Sequence, residues 1–531
     1  MDIRRLIDEG RGIVGIEFGS TRIKAVLIDE NHVPAASGDY TWENRFENGV
    51  WTYPEHQFYE GLQECFSALQ EDVESQYGTK IKKLKALGFS AMMHGYLAFN
   101  DRDELLVPFR TWRNTITGEA AAELSELFHF NIPQRWTIAH VRQAVLNREP
   151  HLKDLCRVNT LAGWMHYRMT GNWVVGIGEA SGIMPVDSRT MDYDQHMIDI
   201  FDRLNAEAGY GFKAREIFPK AVTAGADAGL LTEEGARLLD PTGTLEAGCV
   251  VAPPEGDAGT GMAATNAVRM RTGNVSAGTS VFSMVVLEKA LSDYYEAIDM
   301  VTTPDGSPVA MVHCNNCTSD LNAWVRIMKE GMERLGFKPD TNELYTALFK
   351  AALEGSPDCG QVLSYNYVSG EAITHVGTGS PMLVRSQEAD FTLPNFMRSL
   401  LYSALATLKL GNNILLKEEK VRVDTLYGHG GFFKTKGVGQ QLLADALNVP
   451  VSVMATAGEG GPWGMALLAS YCVNREDKES LPDFLQNKVF HGETGERLDP
   501  DSEGVKGFET YAAAYEKGLA MEREACTCWN S

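Results

Sequence analysis

The chain has 531 residues, more than one ordinary hydrophobic core organises, which predicts two domains of roughly 200–270 residues each. Its 44% hydrophobic and 22% charged residues belong to a globular protein, and 48 Lys+Arg against 71 Asp+Glu give a formal charge of −23. That surplus of carboxylates excludes a broad nucleic-acid surface, which needs clustered cations, but leaves room for a small anionic ligand held by a few local donors.

Residues 1–11 carry no apolar core of a secretory signal, and the apolar stretches stop short of membrane-spanning length, so no membrane partner is expected. Nine cysteines, mostly scattered, fit reduced thiols and a cytoplasmic setting. The close pairs Cys314/Cys317 and Cys526/Cys528 lack the second pair or spaced histidines of a zinc site.

Taken in order, Ile13 to Asp29 reads as strand, Gly19-Ser20-Thr21 turn and strand. Apolar residues at helical spacing (Phe58, Leu62, Phe66, Leu69) predict a helix within Trp51–Ser75, and Leu84–Phe89 a strand running into Met93, His94 and Gly95. The Pro- and Gly-rich stretch Val251–Gly261 reads as a loop at a domain junction, with Asp257 between Gly256 and Gly259. A second hairpin follows at Gly273–Glu288, turning at Gly278-Thr279-Ser280. Beyond it come helices near Leu321–Gly331 and Asn395–Leu410 and a strand Val423–Tyr427 ending in Gly428-His429-Gly430-Gly431. A helix Gly439–Leu447, a strand Val449–Met454 and a helix Trp463–Tyr471 complete the alternation, which means an α/β fold with layered sheets. Residues 190–239 and 475–531 read as polar, helix-prone outer faces that could carry a homodimer interface. His140, His166, His313 and His375 are isolated and read as structural.

The two hairpins echo one another about half the chain apart, which points to a duplicated fold with a cleft between lobes. Turns of Gly with Ser or Thr suit phosphate, because glycine admits the backbone N–H groups and the hydroxyls add donors. Glu17, just before the first turn, is a candidate magnesium carboxylate, and Lys24, just after it, a partner for phosphate charge. Asp257 is either an ordinary turn residue or a base for an acceptor hydroxyl. Walker, Rossmann and protein-kinase signatures are all absent.

These segments resemble the FGGY carbohydrate kinases over nearly the whole chain. Gly15 to Thr21 with Lys24 and Ala25 looks like the family's first phosphate motif, and Ser276 to Ser280 like its second. Ala91 to Gly95 is similar to the sugar-contact motif of xylulokinases, and Trp112-Arg113-Asn114 stands in the place of the Trp-containing sugar loop. Glu255 to Gly261 looks like the segment of the catalytic aspartate, Tyr427 to Asp445 like the adenosine side, and Thr456 to Ala466 like the Gly-rich helix start that closes it.

The resemblance implies two ribonuclease-H-like, actin-like ATPase domains, 12–268 and 269–531, with ATP, Mg²⁺ and a sugar in the cleft. It implies Asp257 as catalytic base and sugar ligand and Glu17 toward the metal. His94, Gly95, Trp112 and Asn114 would meet the sugar. Gly19, Ser20, Thr21, Lys24, Gly278, Thr279, Ser280, Gly430, Gly431 and Glu459 would meet the nucleotide. Three departures stand out: Glu17 replaces the usual Asp, Arg113-Asn114 lacks the Asp of the sugar loop, and Phe432-Phe433-Lys434 replaces smaller residues. The activity expected is ATP-dependent phosphorylation of a ketopentose, L-ribulose or D-xylulose, at the terminal 5-hydroxyl. The alternatives are a kinase for another polyol or sugar acid, a sugar- or ATP-sensing protein on the same scaffold, and a bare ATPase.

Overall fold

A computed structural model describes residues 3–454, 460–493 and 495–528. The chain forms two compact units. One comprises Met1–Val268, Met300–Val309 and Glu459–Glu493, and the other Arg269–Asp299, Ala310–Gly458 and Thr494–Ser531. The half expected as a single C-terminal domain thus lends two segments to the first unit. The stretch Val251–Gly261, expected at a junction, lies wholly inside that unit.

The first unit is built on strands β1 (Ile13–Phe18), β2 (Arg22–Ile28), β3 (Pro34–Thr41), β4 (Ala86–Ala91), β5 (Val250–Val251) and β6 (Glu255–Gly256). They lie in the order β5-β4-β1-β2-β3, with β6 also paired to β4. β1 runs antiparallel to β2 and parallel to β4, and β5 and β6 are parallel to β4. Alternation along β1 divides its two faces. Val14, Ile16 and Phe18 enter the apolar core with Phe58, Leu62, Phe66 and Leu69 of helix α1 (Glu55–Tyr77). Each such fully buried side chain contributes on the order of 1.5–3 kcal/mol. α1 starts after Pro54, which suits a helix entry, and stops at Gly78, whose φ of 65° only glycine adopts freely.

The segment after β6 is not the loop expected. Asp257 is the first residue of helix α2 (Asp257–Ala264), with Gly256 extended at its N-cap. The glycines that suggested a turn are tolerated inside this short helix because it is packed on both sides: a side chain on Gly259 would press on Glu255 and Pro304.

The second unit repeats the hairpin with β7 (Thr272–Ala277) and β8 (Val281–Val286), again antiparallel. β7 is parallel to β9 (Thr425–His429), followed by β10 (Val451–Val453) and β11 (Glu496–Leu498), in the order β8-β7-β9-β10-β11. Helices α3 (Leu393–Asn413) and α4 (Val438–Leu447) and the long helix Ser502–Thr527 surround it.

Helix α5 (Gly460–Asn474) returns to the first unit. It lies over the sheet face opposite the α1 core, where Gly15 and Gly88 stand in register. A side chain on Gly15 would strike the backbone of Pro462 and Ala466, and one on Gly88 would strike Met465. The two glycines let the sheet take the helix backbone at Gly15 and the Met465 side chain at Gly88.

Candidate active site

The first Gly-Ser-Thr turn closes with Gly19 N–H donating to Arg22 O at 2.9 Å. Trp42 Nε1 donates to Gly19 O at 2.7 Å and Tyr53 OH to Ser20 O at 2.6 Å, so an aromatic pair with rings stacked at 4.1 Å fixes the turn from behind. Thr21 is exposed and Ser20 half-buried, so both lie outside the core. Lys24 (β2), Glu17 (β1) and Ser90 (β4) stand in register, and Ser90 is in turn opposite Glu255 of β6. Residues in register share a face, so two carboxylates, a hydroxyl and an ammonium form one polar row across four strands.

Asp257 sits at the end of that row. Its Oδ1 accepts the Met93 N–H at 3.1 Å, which joins the expected base to the expected sugar segment. Asp257 is open to water, yet the protein atoms ringing it strip enough hydration to raise its pKa above the ordinary aspartate value. The Met93 and Ala258 N–H groups oppose that rise. Burial, then the charge of Asp257, pushes Glu17 up to about 7, with Lys24 pulling the other way.

His94 and Gly95 form a strained corner, with φ of 74° and 98°. The corner is held by Thr137 Oγ1 donating to Gly95 O at 2.7 Å, and a Cβ on Gly95 would strike Phe109 and the Arg110 carbonyl. His94 is only 5% exposed, stacked on Trp136 at 6.1 Å with Nδ1 3.4 Å from Gly182 O. Tyr96, next along, exchanges backbone bonds with Arg110, so the Trp112 loop runs beside this corner.

Within that loop Trp112 is 38% exposed, whereas Asn114 is 2% exposed. Its Oδ1 accepts Trp51 N–H at 2.8 Å, and Nδ2 donates to Trp51 O at 2.8 Å and Thr111 O at 3.0 Å. Asn114 thus clamps its own loop, with both amide N–H groups spent on backbone carbonyls. Arg113 lies over the Trp51 ring at 3.7 Å.

In the second unit Gly278 N–H donates to Ser280 O at 2.9 Å, and the turn carbonyls Thr279 O and Gly278 O accept Cys317 N–H at 3.0 Å and Thr318 N–H at 3.1 Å. Cys314 and Cys317 are buried free thiols, and the Asn315-Asn316 step between them ties into Ser369, Gly370 and Glu371. A Cβ on Gly430, whose φ is 100°, would strike the backbone of Ala277, so the β9 end lies against the end of β7; one on Gly431 would meet open space. Phe432 and Phe433 turn inward: both are buried, and Phe433 packs on Gly428. This departure fills the core under the segment and leaves its outer edge clear. Glu459 lies outside the described residues.

Two buried carboxylates escaped the sequence reading. Glu255 accepts Gly178 N–H at 3.2 Å and Glu179 N–H at 3.0 Å at the start of helix Ile177–Ala180, and burial lifts its pKa to about 8. Glu179 is fully buried against Gly256, and burial drives its pKa well above the ordinary value, against the pull of the Thr160 hydroxyl and the His94 N–H. Glu255 was visible only as the neighbour of a motif, and Glu179 carried no signal at all. His140 and His166 are buried, with pKa values pushed down to about 3 and about 4, as structural histidines should be.

The chain matches the N-terminal domain of the FGGY family of carbohydrate kinases over residues 12–244 and its C-terminal domain over residues 273–473. A xylulose kinase of Haemophilus influenzae is 21% identical over 535 residues, spanning 95% of this chain and 98% of its own. The ligand-bound xylulose kinase of Lactobacillus acidophilus superposes with a TM-score of 0.79 at 16% identity, covering 96% of this chain and 98% of its own. A gluconate kinase from the same organism does so with a TM-score of 0.79 at 16% identity, over 97% and 99%. These likenesses show the fold, a pair of actin-like ATPase domains. Two family matches covering most of the chain place it with the FGGY carbohydrate kinases, enzymes that pass a phosphoryl group from ATP to a sugar hydroxyl.

Proposed function

We infer that this kinase phosphorylates a ketopentose, D-xylulose or L-ribulose, on its terminal 5-hydroxyl with ATP and Mg²⁺. The observation that carries the reading is the seat of Asp257, tied through Met93 N–H to the turn that presents His94 and Gly95. A base there takes the hydroxyl proton as the sugar oxygen attacks the γ-phosphorus and ADP leaves. Its raised pKa makes it the stronger base. Burial first and the charge of Asp257 second raise the Glu17 pKa, and hard oxygen donors of this kind suit Mg²⁺. Among the described residues no group of three or more His, Cys, Asp or Glu could hold a metal by itself, so Glu17 would share the ion with phosphate and water. Lys24 and the turns at 19–21 and 278–280 would line the phosphates, and Gly430-Gly431 the nucleotide.

The relative named a xylulose kinase, matched end to end, puts D-xylulose first. ADP release measured across ketopentoses, polyols and aldonates tests the reading: saturable turnover with one ketopentose supports it, and turnover with none removes it. Asp257→Ala should lose about 10³-fold or more in kcat while still binding ATP; near-normal turnover would take Asp257 out of the role. A second reading is a sugar acid, favoured by Arg113, an exposed cation in the loop beside His94-Gly95 where a carboxylate could pair with it. All nine cysteines are free, which fits a reducing cytoplasm, and no helix of the described residues is long and apolar enough to cross a membrane.

A further inference from the structure

Glu17 points to the same sheet face as Gly15, two residues back, and so toward α5. Gly15 and Gly88 are glycines because the helix backbone and Met465 occupy the space of their side chains. Gly461, in the first turn of α5, is different. A Cβ built there lands on the Glu17 carboxyl group itself, and its three nearest atoms are all Glu17 carboxyl atoms.

A left-handed φ is not what asks for glycine at that position, although Pro462, next along, crowds a Cβ on a helical residue before it. Gly461 is helical and is not among the residues of positive φ, unlike Gly460 at 75°. The obstacle is not rigid either, since it is the far end of a rotatable side chain. Gly464, one turn on, provides the contrast: its Cβ would strike the backbone of Thr260 in α2.

We propose that Gly461 is a positioning residue for Glu17: its missing side chain is the space in which the carboxylate stands, so the two residues act as one coupled pair. A methyl group at 461 does not break the fold; it turns the carboxylate away from Asp257 and Lys24. An aspartate at 17, one methylene shorter, would draw the carboxylate back from the contested space. The proposal rests on the reading that Glu17 serves phosphoryl transfer through Mg²⁺.

The test is a cycle of Gly461→Ala, Glu17→Asp and the double variant in the full chain, with Gly464→Ala as structural control. Three quantities are read: melting temperature of the ligand-free protein, kcat with the best sugar, and the Mg²⁺ concentration giving half-maximal rate. Gly461→Ala is expected to melt within a few degrees of the wild-type temperature, to lose about 10–100-fold in kcat and to need more Mg²⁺. The double variant should regain at least tenfold of that loss, whereas Gly464→Ala should lower the melting temperature by several degrees. The proposal is overturned if Gly461→Ala turns over within twofold of wild type, or if its loss and that of Glu17→Asp simply multiply. It also fails if Gly461→Ala melts as low as Gly464→Ala and Glu17→Asp does not restore it. Glu17→Ala separates this outcome from failure of the functional reading: full activity there removes Glu17 from catalysis, while lost activity without coupling removes Gly461 alone.

Discussion

The two hairpins align as Gly19-Ser20-Thr21 over Gly278-Thr279-Ser280, but they are not electrically alike. Phe18 pairs with Ile23 and Glu17 with Lys24 across the first turn, whereas Ala277 pairs with Val281 and Ser276 with Phe282 across the second. One residue fewer spans the second turn, so the position matching Glu17 faces a ring instead of an ammonium. A carboxylate and a cation flank the first turn; a hydroxyl and a phenyl group flank the second. The difference teaches that a duplicated scaffold can keep a backbone turn in both copies while confining the ionised groups, and the Asp257 carboxylate, to one. It also explains how the second turn is braced: Cys317 and Thr318 backbone N–H groups bind its carbonyls, where the first has the Trp42 and Tyr53 side chains.

The sharpest way to break this comparison is to neutralise both flanks. Glu17→Gln should cost about 10²–10³-fold in kcat, while Ser276→Ala should stay within about threefold. Equal losses in the two variants would mean that the hairpins share the ionic work. Next in size, Lys24→Met should cost about 10–100-fold in kcat/KM for ATP, the range of one charge-assisted hydrogen bond, and the loss should shrink at high salt. The smallest effect lies in stability. The Glu17 pKa rises from 4.5 in the unfolded chain to about 7, so the stabilisation its neutral form contributes is whole below about pH 4.5 and drains away as pH climbs through 7. The ligand-free enzyme should therefore melt a few degrees lower at pH 8 than at pH 5, and Glu17→Gln should flatten that slope. A slope unchanged in the variant would assign it to other carboxyls, of which Glu255 is the nearest in kind.

Much of this arrangement is legible in residues alone, and the misses have physical causes. The hairpins show because β-branched runs bracket Gly turns. α1 shows because Phe58, Leu62, Phe66 and Leu69 keep a helical period. The helix at Asp257 does not show, because Gly256, Gly259 and Gly261 read as turn formers and only tertiary packing outvotes them. The short edge strand Glu496–Leu498, two of its three residues charged, has no period to read. Asn114 sits where the sugar loop belongs, and its three bonds to backbone, which make it the clamp of that loop, leave no trace in the sequence. Gly461 looks like one more glycine in a Gly-rich run; its meaning depends on a residue more than four hundred positions earlier.

The return of α5 to the first unit has a consequence for how the molecule comes into being. The face of the sheet with Gly15 and Gly88 has no cover of its own until residues 460–474 arrive. On the ribosome the N-terminal unit therefore waits for almost the whole polypeptide before it can close, and the second unit's strands and helices are synthesised in the interval. A gene fragment ending at residue 268 would encode a sheet with one face bare, a substrate for chaperones and not a half-enzyme.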